Sequence, residues 1–116
     1  MLNITPIPAL SDNYIWAIQK DNDVIIVDPS DATPVLAFLA KNQLNLTAIL
    51  LTHNHHDHTD GMPELLSRYP QLPVYGPQEV AQFANHIVRP EDHVTLFDYD
   101  VRVIESAGHT AQHVSY

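Results

Sequence analysis

A chain of 116 residues with 45% hydrophobic and 16% charged side chains can bury one core and is too apolar to stay disordered. Its 14 acidic and 5 basic residues give a formal charge of −9, which excludes partners such as nucleic-acid phosphates and anionic membranes that need clustered Lys and Arg. No cysteine is present, so disulfides, thiolate metal sites and a Cys nucleophile are excluded, and any metal must be held by His and carboxylates.

The chain opens on short strand-like runs rich in Ile, Val and aromatic residues, Leu2 to Ile7, Tyr14 to Gln19 and Val24 to Val27, with a turn at Lys20 to Asp23. Met1 to Leu10 lacks the basic and apolar regions of a secretion signal, and no apolar run is long enough to span a membrane, so a soluble, cytoplasmic protein is expected. Ser30 or Asp31 can cap a helix in which Val35, Leu36, Leu39 and Ala40 recur at helical spacing, with Pro34 tolerated in its first turn. Thr47 to Thr52 is a nearly continuous apolar run, the pattern of a strand buried on both faces of a layered α/β structure. Beyond it, Gly61 to Tyr69 reads as a helix, Leu72 to Tyr75 as a strand and Pro77 to Ala84 as a further helix. Val94 to Phe97 and Val101 to Glu105 read as a hairpin, and His113 to Tyr116 as the opening of a strand. One α/β domain, a sheet with helices packed on it, follows from this order, and the final strand opening suggests that residues 1–116 are part of a larger domain.

Between the fourth strand and the second helix the sequence reads THNHHDHTDG, with histidines at 53, 55, 56 and 58 and Asp57 among them. Imidazole and carboxylate suit zinc, iron and manganese where no thiolate is available. Residues two apart in extended chain point the same way, so His53 and His55 can converge on one metal. Adjacent Asp57 and His58 cannot both follow that direction, and a turn would send them to a second metal position. A solvated, His-rich loop is the plain alternative. His56 is expected to face solvent or support the ligands, and His86 and His93 are expected to be surface residues. His109 and His113, in a loop opened by Gly108, are placed to add a distant ligand.

Residues 52–58 match the T-H-x-H-x-D-H signature of the metallo-β-lactamase superfamily, and Gly108-His109-Thr110 resembles the loop that carries its next ligand. Within that superfamily SDNYIW at 11–16, VDPS at 27–30 and VYGPQE at 74–79 resemble the glyoxalase II family, over essentially the whole chain. The resemblance implies the N-terminal part of an αββα sandwich with a mixed sheet, and a C-terminal helical region beyond residue 116. It implies two divalent metal ions, zinc or else iron or manganese, with His53, His55 and His109 on one and Asp57 and His58 on the other. Asp28 and His113 match supporting positions near the site. The implied activity is hydrolysis of the thioester S-D-lactoylglutathione to D-lactate and glutathione by a monomeric enzyme. The fragment 1–116 alone is expected to be inactive and prone to self-associate. An iron persulfide dioxygenase shares the histidine signature and is the nearest rival, and a non-catalytic metal-binding module is a second. Ser30, Asp60 and Gln112 stand where the family usually has glycine, which predicts backbone strain at those turns.

Overall fold

Alternating apolar residues build the first layer as three antiparallel strands, β1 (Asn3–Ala9), β2 (Asn13–Lys20) and β3 (Asp23–Val27). They belong to a computed structural model that describes residues 3–9, 13–52, 59–97, 99–105 and 114–116. Asp21, at φ 56°, turns the chain between β2 and β3, a left-handed conformation that a short polar side chain tolerates. β3 then feeds α1 (Ala32–Asn42), and of the two candidate caps it is Asp31 whose carboxylate accepts the Thr33 N–H at 3.0 Å. Gln43, at φ 53°, ends the helix, with Leu44 N–H donating back to the Leu39 carbonyl at 3.0 Å.

The chain returns as β4 (Asn45–Leu50), parallel to β3, crosses through α2 (Met62–Arg68) to β5 (Val74–Gly76), and continues to β6 (His86–Ile87), also parallel. Among the described residues these six strands form one mixed sheet in chain order, β1 to β6. A bulge at Thr47 sets its registration: Val24 pairs with Leu46 but Ile25 pairs with Ala48. The side chains after it divide cleanly. Ile49 and Leu51 join Ile15, Val24, Ile26, Val35, Met62 and Leu65 in a core under both helices, whereas Ala48 and Leu50 join Ile25 and Leu96 on the opposite face. The expectation of a strand buried on both faces is met, with the run shifted to start at Asn45.

The opposite face is covered by a hairpin of β7 (His93–Leu96) and β8 (Tyr99–Arg102), and by Tyr116. A further short pair, β9 (Ile104–Glu105) with β10 (Val114–Ser115), brackets residues 106–113.

Two expected elements differ. Val101 to Glu105 is not one strand, because Val103 leaves the ladder to donate to the Asp92 carbonyl at 2.8 Å while its own carbonyl accepts from Glu91 N–H at 2.7 Å. Pro77 to Ala84 is not a full helix but a 3-10 turn at Gln78–Val80 followed by turns. Asn85 explains this: its backbone N–H donates to the Val74 carbonyl, and its side-chain amide bridges Val74 N–H and the Leu72 carbonyl at 2.9 Å each. Those bonds fasten the chain to β5 and start β6 before a third helix can propagate.

Candidate metal centre

The C-terminal ends of parallel strands are where open α/β sheets gather their ligands, and here β3, β4 and β5 end at Val27, Leu50 and Gly76, just before Asp28, Thr52 and Pro77. Asp28 continues the ladder on one side, its N–H donating to the Leu50 carbonyl at 2.9 Å. Its φ of 50° then turns the backbone away. The carboxylate takes over the role its own carbonyl would have had: Oδ1 accepts Thr52 N–H at 2.9 Å and Oδ2 accepts the Thr52 hydroxyl at 2.7 Å. Asp28 is 8% exposed, so these bonds are formed in a largely water-excluded place and hold Thr52, the residue before His53, in one position. A left-handed conformation at a buried non-glycine residue before proline is the kind of strain that functional sites retain.

The same turn holds the far end of the histidine segment. Gly61 N–H donates to the Pro29 carbonyl at 2.9 Å. A Cβ at Gly61 would meet Pro29 O at 2.5 Å and Ala32 N at 2.9 Å, so only glycine lets the chain pass this close to the start of α1. Thr52 and Gly61, on either side of residues 53–58, are thus both bonded to the β3–α1 turn.

On the other side of β4, Tyr116 follows β10 and its hydroxyl donates to the Leu51 carbonyl at 2.7 Å, with the Tyr75 carbonyl at 3.3 Å as a weaker second acceptor. Burial, and then the negative charge of Asp28, hold this phenol above its ordinary value of 10.0, so it remains a protonated donor. The strand that follows residues 106–113 is therefore tied to the residue two before His53.

Of the residues expected at the site, Asp28 is described, and its carboxylate accepts from the N–H and hydroxyl of Thr52. His53, His55, His56, Asp57, His58, His109 and His113 lie outside the described residues. Their anchors do not: Thr52 and Gly61 flank the first segment, and β9 and β10 flank the second. As a donor set the two segments fit divalent metal by chemistry, offering six imidazoles and a carboxylate and no competing thiolate. Among the described residues no three His, Cys, Asp or Glu side chains gather as a metal would require. His86 is exposed, stacked on Tyr75 at 4.6 Å, and His93 is exposed beside Asp100 at 3.0 Å, both surface residues as expected.

The strain expected where glycine is usual is absent at two positions, since Ser30 and Asp60 are not among the residues at positive φ. Gln112 lies outside the described residues. Ser30 carries a different cost, for its buried hydroxyl has no hydrogen-bond partner. Sequence reasoning overlooked Thr52, Gly61 and Tyr116 as parts of the site. The first two act through their neighbours in the β3–α1 turn, and Tyr116 acts across 65 residues of sequence, where no local pattern could reveal it.

Residues 10–115 match the model of the metallo-beta-lactamase superfamily. Over all 116 residues the chain is 95% identical to a hydroxyacylglutathione hydrolase of Actinobacillus pleuropneumoniae serotype 5b (strain L20) and 66% identical to one of Glaesserella parasuis serovar 5 (strain SH0165), covering 49% of each. The chain spans about half the length of these curated relatives. Among solved structures, 98% of the chain superposes on 66% of the BLEG-1 B3 metallo-beta-lactamase at TM-score 0.86 and 24% identity. The same share superposes on 52% of ETHE1 from Myxococcus xanthus at TM-score 0.78 and 27% identity. The mixed sheet, its two helices and the family match agree, and the chain belongs to the metallo-beta-lactamase superfamily.

Proposed function

We propose that this chain forms the metal-binding part of a hydrolase that cleaves S-D-lactoylglutathione to D-lactate and glutathione. The observation that carries the reading is the bond from the Tyr116 hydroxyl, three residues after His113, to the carbonyl of Leu51, two residues before His53. The name shared by relatives up to 95% identical, hydroxyacylglutathione hydrolase, supports the thioester substrate.

His53, His55 and His109 would hold one metal and Asp57 and His58 the other, with His113 supporting them. When bound, such a pair supplies a water acidic enough to attack at neutral pH and polarises the thioester carbonyl. This chain's residues do the positioning. Asp28 holds the N–H and hydroxyl of Thr52 and Gly61 is bonded to Pro29, anchors that would spare ligands between them reorganisation during reaction. A glutathione thiolate is a good enough leaving group that a strong general acid is not required.

The test is to purify the full-length protein, measure zinc, iron and manganese, and assay it with S-D-lactoylglutathione and with glutathione persulfide. Hydrolysis of the first with two metals per chain is expected. Turnover of the second alone, with one iron, would replace this reading with a dioxygenase, and tight metal without turnover would leave a binding module.

A further inference from the structure

The parallel ladder between β4 and β5 has a gap that the sequence creates. Ile49 N–H donates to the Pro73 carbonyl at 3.0 Å and Leu51 N–H to the Tyr75 carbonyl at 2.8 Å. In a parallel pair the next bond in this series runs from residue 77 to the Leu51 carbonyl. Residue 77 is proline and has no N–H to give. The Leu51 carbonyl, on a residue with no solvent exposure, would be left without its ladder donor at the point where β4 passes into the histidine segment. The Tyr116 hydroxyl supplies a donor to that carbonyl, at 2.7 Å.

From this we infer that Tyr116 is a positioning residue for both histidine-bearing segments, a side-chain substitute for the donor that Pro77 lacks. It mirrors Asp28 across β4, where a carboxylate replaces a missing backbone acceptor for Thr52. One bond does two things. It fixes the exit of β4 two residues before His53, and it fixes the chain three residues after His113. Phenylalanine in its place would keep the ring among Leu50, Leu96, Phe97 and Val101 but lose the donor. The inference rests on the metal-binding part of the proposed function and not on the substrate.

The experiment uses the full-length protein and reads the zinc dissociation constant by chelator competition, and amide exchange over residues 51–59 in the metal-free protein. Tyr116→Phe should weaken zinc about 10-fold, the low end of what losing an outer-shell partner costs, and should speed exchange at Leu51 and Thr52. Pro77→Ala combined with Tyr116→Phe returns an N–H to the ladder and should recover most of both losses. Val35→Ala, in the core beneath α1, should lower thermal stability while leaving zinc affinity as it was. The inference is overturned if Tyr116→Phe weakens zinc no more than Val35→Ala does, or if the double variant is no better than Tyr116→Phe. Hydrolysis is not read, so a full-length protein without thioesterase activity does not disturb the result. A protein that takes up no zinc would be decided by the exchange arm alone, where unchanged rates at Leu51 and Thr52 overturn the inference.

Discussion

The two faces of the large sheet are finished to different degrees. Under the helices, Ile15, Ile26, Ile49, Leu65, Val74 and Val80 are fully buried and the core is continuous from β2 to the 3-10 turn. Across the sheet the described buried residues fall into two small clusters, Ile25, Ala48, Leu50 and Leu96 in one and Val88 and Val103 in the other. There, Ile18, Phe97, Tyr99, Val101 and Tyr116 line a cleft of about 180 Å³. Close packing carries the stability of the first face, and on the second a polar strap, Tyr116 to Leu51, crosses a loosely filled apolar space. The difference teaches that the residues flanking the histidine segments, Thr52, Gly61 and Tyr116, are held by hydrogen bonds made at strand ends and not by the depth of the core.

The largest effect should separate these contributions completely. In the full-length protein His55→Ala should abolish most metal binding and hydrolysis, a loss beyond the roughly 10–100-fold expected for an outer-shell partner. His56→Ala should do far less, and neither should shift the denaturation midpoint of the metal-free protein. Equal metal loss in both variants would refute the ligand assignment.

Direct comparison of the faces comes next. Leu65→Ala, on the helix side, should lie near the top of the ~2–5 kcal/mol range for such truncations, and Leu96→Ala, beside the cleft, near the bottom, because its neighbours can relax into existing space. Urea titration of each variant would measure this, and indistinguishable losses would show that the two faces are packed alike.

The strap should also give the second face a pH signature. Tyr116 is held above 10.0 in the folded state, so its contribution is complete below pH 10.0 and is lost as the pH rises from there toward the folded value, the unfolded phenol ionising first. Stability of Tyr116→Phe should therefore fall less steeply above that pH than stability of the parent. Parallel slopes would place the phenol in water.

The smallest effect is expected at Ser30, whose buried hydroxyl has no partner. Ser30→Ala should raise stability by about 1 kcal/mol, measurable as a rise in Tm, and a loss would mean that the hydroxyl is bonded in solution.

Much of this organisation was legible in the chain itself. Period-two runs gave β2 and β3, and the switch to helical spacing with Asp31 ahead of it gave α1. The apolar run 47–52 pointed straight at the histidines, although the Thr47 bulge that assigns its side chains to two cores is invisible without a partner strand. Asp28 was expected near the site from its place at a strand end, and Tyr116 was not. The reason is physical. A carboxylate at a strand end acts on the neighbouring strand of a predictable βαβ unit, whereas a phenol that completes a ladder broken by Pro77 requires knowing which residue faces that proline. β6 escaped because two residues carry no periodicity, and Asn85 stopped the preceding helix by bonds to β5 that no local propensity encodes.

Pro6 and Pro8 sit in β1, the outer strand of the sheet, each paired with β2 on its inner side. A proline can occupy a sheet only where its missing N–H would have pointed away from the ladder. The outer rim of β1 thus presents acceptors without the alternating donors that an incoming strand needs, and the opposite rim, β6, is two residues long. Neither rim of this sheet is a template for strand addition. Self-association of this chain is expected to use the apolar cleft side rather than the rims of the large sheet, and should respond to detergent and to apolar substitutions there.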